Sequence, residues 1–268
     1  MKNKRRIFRY AKHNYSFNLK EGGGGLDSAG GLFHASGLSR SAFTLAEVLI
    51  TLGIIGVVAA MTLPALIQKQ NDRQIVTSLK KNYSILSQAL VKSQLQLGFF
   101  ETWDLEPTNM NPEEGGAPAK MKEIYERIKP ELKVLKECED KAGCWHNGKT
   151  KNLSGSYTTS SRDSIGIGEG ILIFRLADGT NISIDDQSVT NLKQLGSNYN
   201  KSTYIFWVDA NGDKKPNTIG RDIFAFILTN KGLVPAGIDD DTKCSTKATP
   251  YAGAACTAKV LAEGKIDY

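Results

Sequence analysis

From Val48 to Ile67 no side chain carries a charge. About 20 helical residues rising ~1.5 Å each span the ~30 Å hydrocarbon core of a bilayer, so this run constrains topology before anything else in the chain is read. It is longer than the apolar region of a secretory signal, and no small-x-small cleavage site follows it, so it reads as an anchor that stays in place. One carboxylate, Glu47, stands at its start. A carboxylate in hydrocarbon without a partner is unfavourable by ~2.5 to 3.5 kcal/mol at a helix centre and by less near a helix end.

The chain of 268 residues has a formal charge of +6 and a pI near 9.0, which invites a nucleic-acid reading until the charge is partitioned. Residues 1–42 hold Lys2, Lys4, Arg5, Arg6, Arg9, Lys12, Lys20 and Arg40 against Glu21 and Asp27. That segment accounts for the whole excess, and the remainder is formally neutral. A nucleic-acid partner, which needs cations to neutralise phosphates, loses its support. A basic segment ahead of an apolar helix instead follows the positive-inside rule, placing residues 1–42 in the cytoplasm and the bulk of the chain outside it. Gly22 to Gly25 and Gly30-Gly31 give this leader the texture of a linker.

The residues at the junction, Ser41-Ala42-Phe43-Thr44-Leu45-Ala46-Glu47, resemble the cleavage and N-methylation signature of type IV prepilins and type II secretion pseudopilins. Ala42 stands where the family usually has glycine, and Gly56 and Pro64 stand where it commonly has glycine and proline. The resemblance implies that a prepilin peptidase cuts between Ala42 and Phe43, that the new Phe43 amine is methylated, and that 226 residues remain. It implies a subunit held in the inner membrane by residues 43–67 and then moved into a filament of pilin or pseudopilin subunits. There the Phe43 amine of one copy would pair with Glu47 of the next and set the axial register; the alternative is a glutamate snorkelling to headgroups. The rival function is a singly anchored extracytoplasmic binding or enzymatic protein that does not polymerise.

Beyond Pro64 the chain turns polar, while Ile75, Leu79, Tyr83, Leu86 and Leu90 share one helical face. One long helix over residues 43–98 is expected, stopped by Gly98 and kinked or locally unwound near Gly56 to Pro64. Residues 99–116 read as a loop, and Ala117 to Lys136 as a short helix broken at Pro130 or as two helical pieces. After an aperiodic stretch to residue 164, Ile171–Leu176 and Thr180–Ile184 flank Asp178-Gly179 as a hairpin. Thr203–Val208 and Asp222–Leu228 are further strands. The expected fold is therefore α+β, with a small antiparallel sheet of residues 99–268 covering the amphipathic half of the helix, which is also what the resemblance implies.

Cys138, Cys144, Cys244 and Cys256 all lie in the extracytoplasmic part, where disulfides form. Sequence proximity favours Cys138 with Cys144 and Cys244 with Cys256; structural zinc is the alternative. Asp209, Asn211 and Asp213 alternate through a turn as in the first half of a calcium loop, with Asp222 close by. Lys214 and Gly220 break that pattern, and an Asx-rich turn needing no ion is the alternative. Some major pseudopilins bind calcium in a C-terminal loop, which the resemblance brings to bear on calcium as a cofactor here. Asp239-Asp240-Asp241 are either further ligands or a solvated loop. No catalytic constellation stands out. His146 is the sole histidine after the cut, Gly166-Ile167-Gly168-Glu169-Gly170 precedes a strand and lacks dinucleotide spacing, and no enzymatic activity is expected.

Overall fold

The computed structural model describes residues 43–99, 102–103, 117–158, 161–168, 171–247, 249 and 251–268. The leader with Ala42, and most of the loop expected over 99–116, lie outside the described residues. The chain divides into two compact units, Met1–Leu52 and Gly53–Tyr268.

Helix α1 runs from Leu45 to Leu97 and changes character along its length. Up to Ile67 its apolar side chains are exposed, and an 18-residue window reaches a mean hydropathy of 2.3 with none of it buried. From Ile75 onward Ile75, Val76, Leu79, Leu86, Ala89 and Leu90 are buried at helical spacing, and Tyr83 stacks on Phe226 with ring centroids 5.1 Å apart. Gly98 ends the helix at φ +91°, its amide donating to the Gln94 carbonyl at 2.9 Å. The helix is unbroken through Pro64, so the expected unwound stretch is absent. Pro64 deletes a single donor from a ladder otherwise intact on both sides, and that loss does not end the helix.

Helix α2 (Ala117–Ile128) gives way to one 3-10 turn at Lys129–Glu131, with Pro130 inside it. The break is where the sequence places it, but the chain does not resume as helix. Val134–Glu139 forms strand β1 because its backbone pairs antiparallel with β4 (Leu172–Leu176), and tertiary pairing overrides local periodicity. A short pair, β2 (Ser161–Arg162) and β3 (Gly166–Ile167), straddles the end of the aperiodic stretch.

Strands β5 (Asn181–Gln187), β6 (Thr203–Asp209), β7 (Ile223–Thr229) and β8 (Gly232–Pro235) complete a six-stranded antiparallel sheet of order β1-β4-β5-β6-β7-β8. Helix α3 (Val189–Gln194) lies between β5 and β6, and α4 (Cys256–Glu263) follows β8. The edge strand β1 carries two register irregularities and charged residues Lys136, Glu137 and Glu139, which discourage edge-to-edge pairing.

Alternation along the central strands separates two cores. Tyr204, Phe206, Val208, Phe224, Phe226 and Leu228 pack with α1 and α2. On the opposite face Ile205, Trp207, Ile223, Ala225 and Ile227 pack with Cys144, Trp145, Leu192 and Tyr251. The sheet thus has two buried faces, not the single one expected, because the aperiodic loops fold over its second face. Both cysteine pairs are bonded as proximity favoured, Cys138–Cys144 and Cys244–Cys256, and the zinc alternative falls.

Candidate functional site

Two places gather the candidate residues. The first is the start of α1. Phe43 is 84% exposed and precedes the helix. The Thr44 amide and hydroxyl both donate to Glu47 Oε2 at 2.8 Å, and the Glu47 amide donates to Thr44 Oγ1 at 3.2 Å. This reciprocal pair is a capping box, satisfying two amides that the first turn leaves without partners. The Thr-x-x-Glu spacing is the signal for it in the sequence, beside the ion-pairing and snorkelling readings of Glu47. The carboxylate therefore has a local structural task in the single chain. Pro64 lies among exposed apolar side chains, with Leu63 and Leu66 51% and 64% accessible.

The second place is the loop between β6 and β7. Here α1 is pinned by polar contacts: Ser78 Oγ donates to the Ala210 carbonyl at 2.7 Å, and Asn82 Nδ2 to Thr180 Oγ1 at 2.8 Å. Lys81 Nζ pairs with Asp178 Oδ2 at 2.8 Å. Gly212 has φ +68°, and a Cβ there would collide with the Gly179 carbonyl oxygen, so glycine is what lets the β4–β5 and β6–β7 turns close on each other.

Asp209 ends β6 and Asp222 leads into β7, and both are fully buried. The Ala210 amide donates to the Asp222 carbonyl at 2.8 Å. Both Asp222 carboxylate oxygens accept backbone amides, from Asn217 and Thr218, each at 2.7 Å. Asp209 Oδ2 takes a long bond from Asn181 Nδ2 at 3.4 Å, while Asp209 Oδ1, Asn211 Oδ1 and Asn217 Oδ1 have no hydrogen-bond partner. Burial, and then the neighbouring Asp222 charge, hold the Asp209 carboxyl well above the usual range. Burial pushes Asp222 up to about 6, against the pull of the Thr218 and Asn217 amides. Asp213 Oδ1 is bound by the Arg175 guanidinium at 2.6 Å and shares the Asn181 amide group, at 3.4 Å, with Asp209.

The structure thus brings Asp209, Asn211 and Asp222 together and gives Asp213 to an arginine, while Asn217, which the sequence pattern did not single out, joins the set. Among the described residues no three Asp, Glu, His or Cys side chains form a metal cluster. Calcium fits on donor chemistry nonetheless, because the unpartnered atoms are all hard oxygens: one carboxylate lobe and two amide carbonyls beside a second carboxylate. Ligation by Asp209, Asn211 and Asn217 would satisfy acceptors that the protein leaves unpaired, beside Asp222, whose two oxygens already accept backbone amides.

The remaining acidic run is occupied locally. Asp239 Oδ2 accepts the Asn198 amide at 2.7 Å, and Asp240 Oδ1 accepts the Thr242 amide at 3.1 Å. His146 is buried beside Trp145, its Nε2 3.1 Å from Thr150 Oγ1, and burial lowers its basicity. It is packed as a core residue.

Compared with known proteins, the chain matches the model of a family of unknown function (DUF6613) over residues 65–255, and the chain belongs to that family. The match takes in the amphipathic half of α1 and the whole six-stranded sheet. No curated protein and no solved structure matches the chain.

Proposed function

We propose that this member of the DUF6613 family is a pilin-like structural subunit, made as a precursor, cut before Phe43 by a prepilin peptidase, and assembled into a type IV pilus or type II secretion filament through residues 43–67. The observation that supports it most is the two-part α1. One continuous helix offers an uncovered apolar surface along its first half and is the scaffold of the sheet domain along its second. A plain anchor needs a span but no rigid continuation. A filament subunit needs both, so that packing of the apolar halves carries the domains in fixed register.

In this reading the apolar half waits in the inner membrane with the sheet domain outside the cytoplasm, the filament excludes water from the same surface afterwards, and the chain carries out no catalysis. Glu47 serves twice: it caps its own helix, and after the cut it meets the Phe43 amine of a neighbouring copy, where a charge in apolar surroundings is compensated. Calcium belongs to the proposal as a stabiliser of the β6–β7 loop, held by Asp209, Asn211, Asn217 and Asp222. Cross-linking tests the assembly claim. Single cysteines placed along Val48–Ile67 should link copies of the chain with a helical period when processing and assembly occur. Absence of links at every position would favour the singly anchored protein.

A further inference from the structure

We infer that the β6–β7 loop and the first turns of α1 past Ile67 form a basic collar that docks on anionic phospholipid headgroups while the chain is anchored. The inference rests on the anchor reading of residues 43–67 and adds a lipid partner for the soluble domain. It begins from a groove of about 1100 Å³ whose walls include Gln68, Asn71 and Asp72 of α1 and Lys214, Lys215 and Arg221 of the loop. Gln68 is the residue that follows the apolar run, so with a rise of ~1.5 Å per residue the lining turns of α1 begin at headgroup depth when the run spans a bilayer. The loop that shares the groove is fastened to α1 by the Ser78 bond to Ala210, about 16 Å along the axis beyond Ile67, and Lys214 and Lys215 line the same groove as Gln68.

Charge decides which surface the collar fits. Within the groove Arg175 is paired with Asp213 and, at its edge, Lys81 with Asp178. Arg221 donates to the Tyr268 carbonyl and opposes the rise that burial causes in Asp72. Four cations are left over in and beside the groove: Lys214 and Lys215, which line it, and Lys69 and Arg73, one turn apart on α1, which lie outside its lining. All four are exposed, and none forms an ion pair with a described residue. A cluster of uncommitted Lys and Arg immediately beyond an apolar span is the pattern that anionic lipid surfaces attract, and Lys stems can lie along the bilayer edge with their amines at the phosphates.

Lysine acylation on the intact chain reads this contact directly. The protein is placed in nanodiscs of phosphatidylcholine alone or with phosphatidylglycerol, treated with a water-soluble acylating ester, and the rate at each lysine is followed by mass spectrometry. Lys69, Lys214 and Lys215 should react several-fold more slowly in the anionic discs and recover in high salt, because phosphate contact covers the amines and salt screens that contact. Lys231, in the turn at the far end of β7, and Lys193 on α3 should react alike in both. Equal rates at Lys214 and Lys215 in the two discs would overturn the docking, as would equal slowing at Lys231. Protection that follows protein concentration and not lipid charge would assign the collar to a second protein copy and overturn it too. A chain that associates with neither disc removes the anchor reading, and the docking with it.

Discussion

Asp209 and Asp222 close the two ends of one loop as fully buried carboxylates, joined by the Ala210 amide bond to the Asp222 carbonyl. Asp222 is pushed to about 6 in the folded chain, against ~3.9 when unfolded. Between those values the native state binds more protons than the unfolded state, so stability falls as pH rises through this window, by ~3 kcal/mol for Asp222 alone. The calcium site proposed above requires the ionised carboxylates. Thermal melts should therefore show calcium raising the midpoint by roughly 5 °C or more at pH 7 relative to chelator, and by clearly less at pH 5. Unchanged midpoints at both pH values would reject the ion.

The two halves of α1 should respond oppositely to truncation. Leu86 is fully buried, and Leu86→Ala should destabilise the detergent-solubilised chain by ~3 to 5 kcal/mol. Leu52 is 60% exposed, and Leu52→Ala should change the same melt by under ~0.5 kcal/mol. Equal effects would mean that the sheet does not rest on the second half alone.

Much of this arrangement was legible in the sequence for physical reasons. The spacing of Ile75, Leu79, Leu86 and Leu90 is itself the helical face, and Asp178-Gly179 between apolar runs is itself the hairpin. What escaped depends on distant partners. Strand β8 is four residues long with Pro235 at its end, too short for any period, and exists because β7 pairs with it. Helix α4 ends at Gly264 in the left-handed region, but a single turn signal does not mark a helix of eight residues. The second core could not be read from strands that are apolar on both faces: Trp207 meets Tyr251 at 6.3 Å only because an aperiodic segment folds back. Asn217 entered the loop's oxygen set through its place beside Asp222, which no residue spacing encodes.

The Cys244–Cys256 bridge ties the start of α4 to the segment after β8. Replacing both cysteines by serine should lower stability by ~3 kcal/mol, in line with the short loop the bond closes, and should change mobility on a non-reducing gel. Wild-type mobility and melting would show that the bond does not form.

Glu47→Gln separates the capping seen at that side chain from the assembly role proposed for it. Glutamine also completes a capping box, so helix content and processing before Phe43 should match wild type, while the lost charge should reduce cross-linking between copies at least tenfold. Wild-type assembly of the variant would confine Glu47 to capping.

The N-terminus of the mature chain tests the central claim most directly. Expressed with a prepilin peptidase and examined by intact-mass and N-terminal peptide mass spectrometry, the protein should begin at Phe43 and carry one methyl group on its amine. A chain that keeps Met1, or begins elsewhere without a methyl, would contradict the pilin-like account.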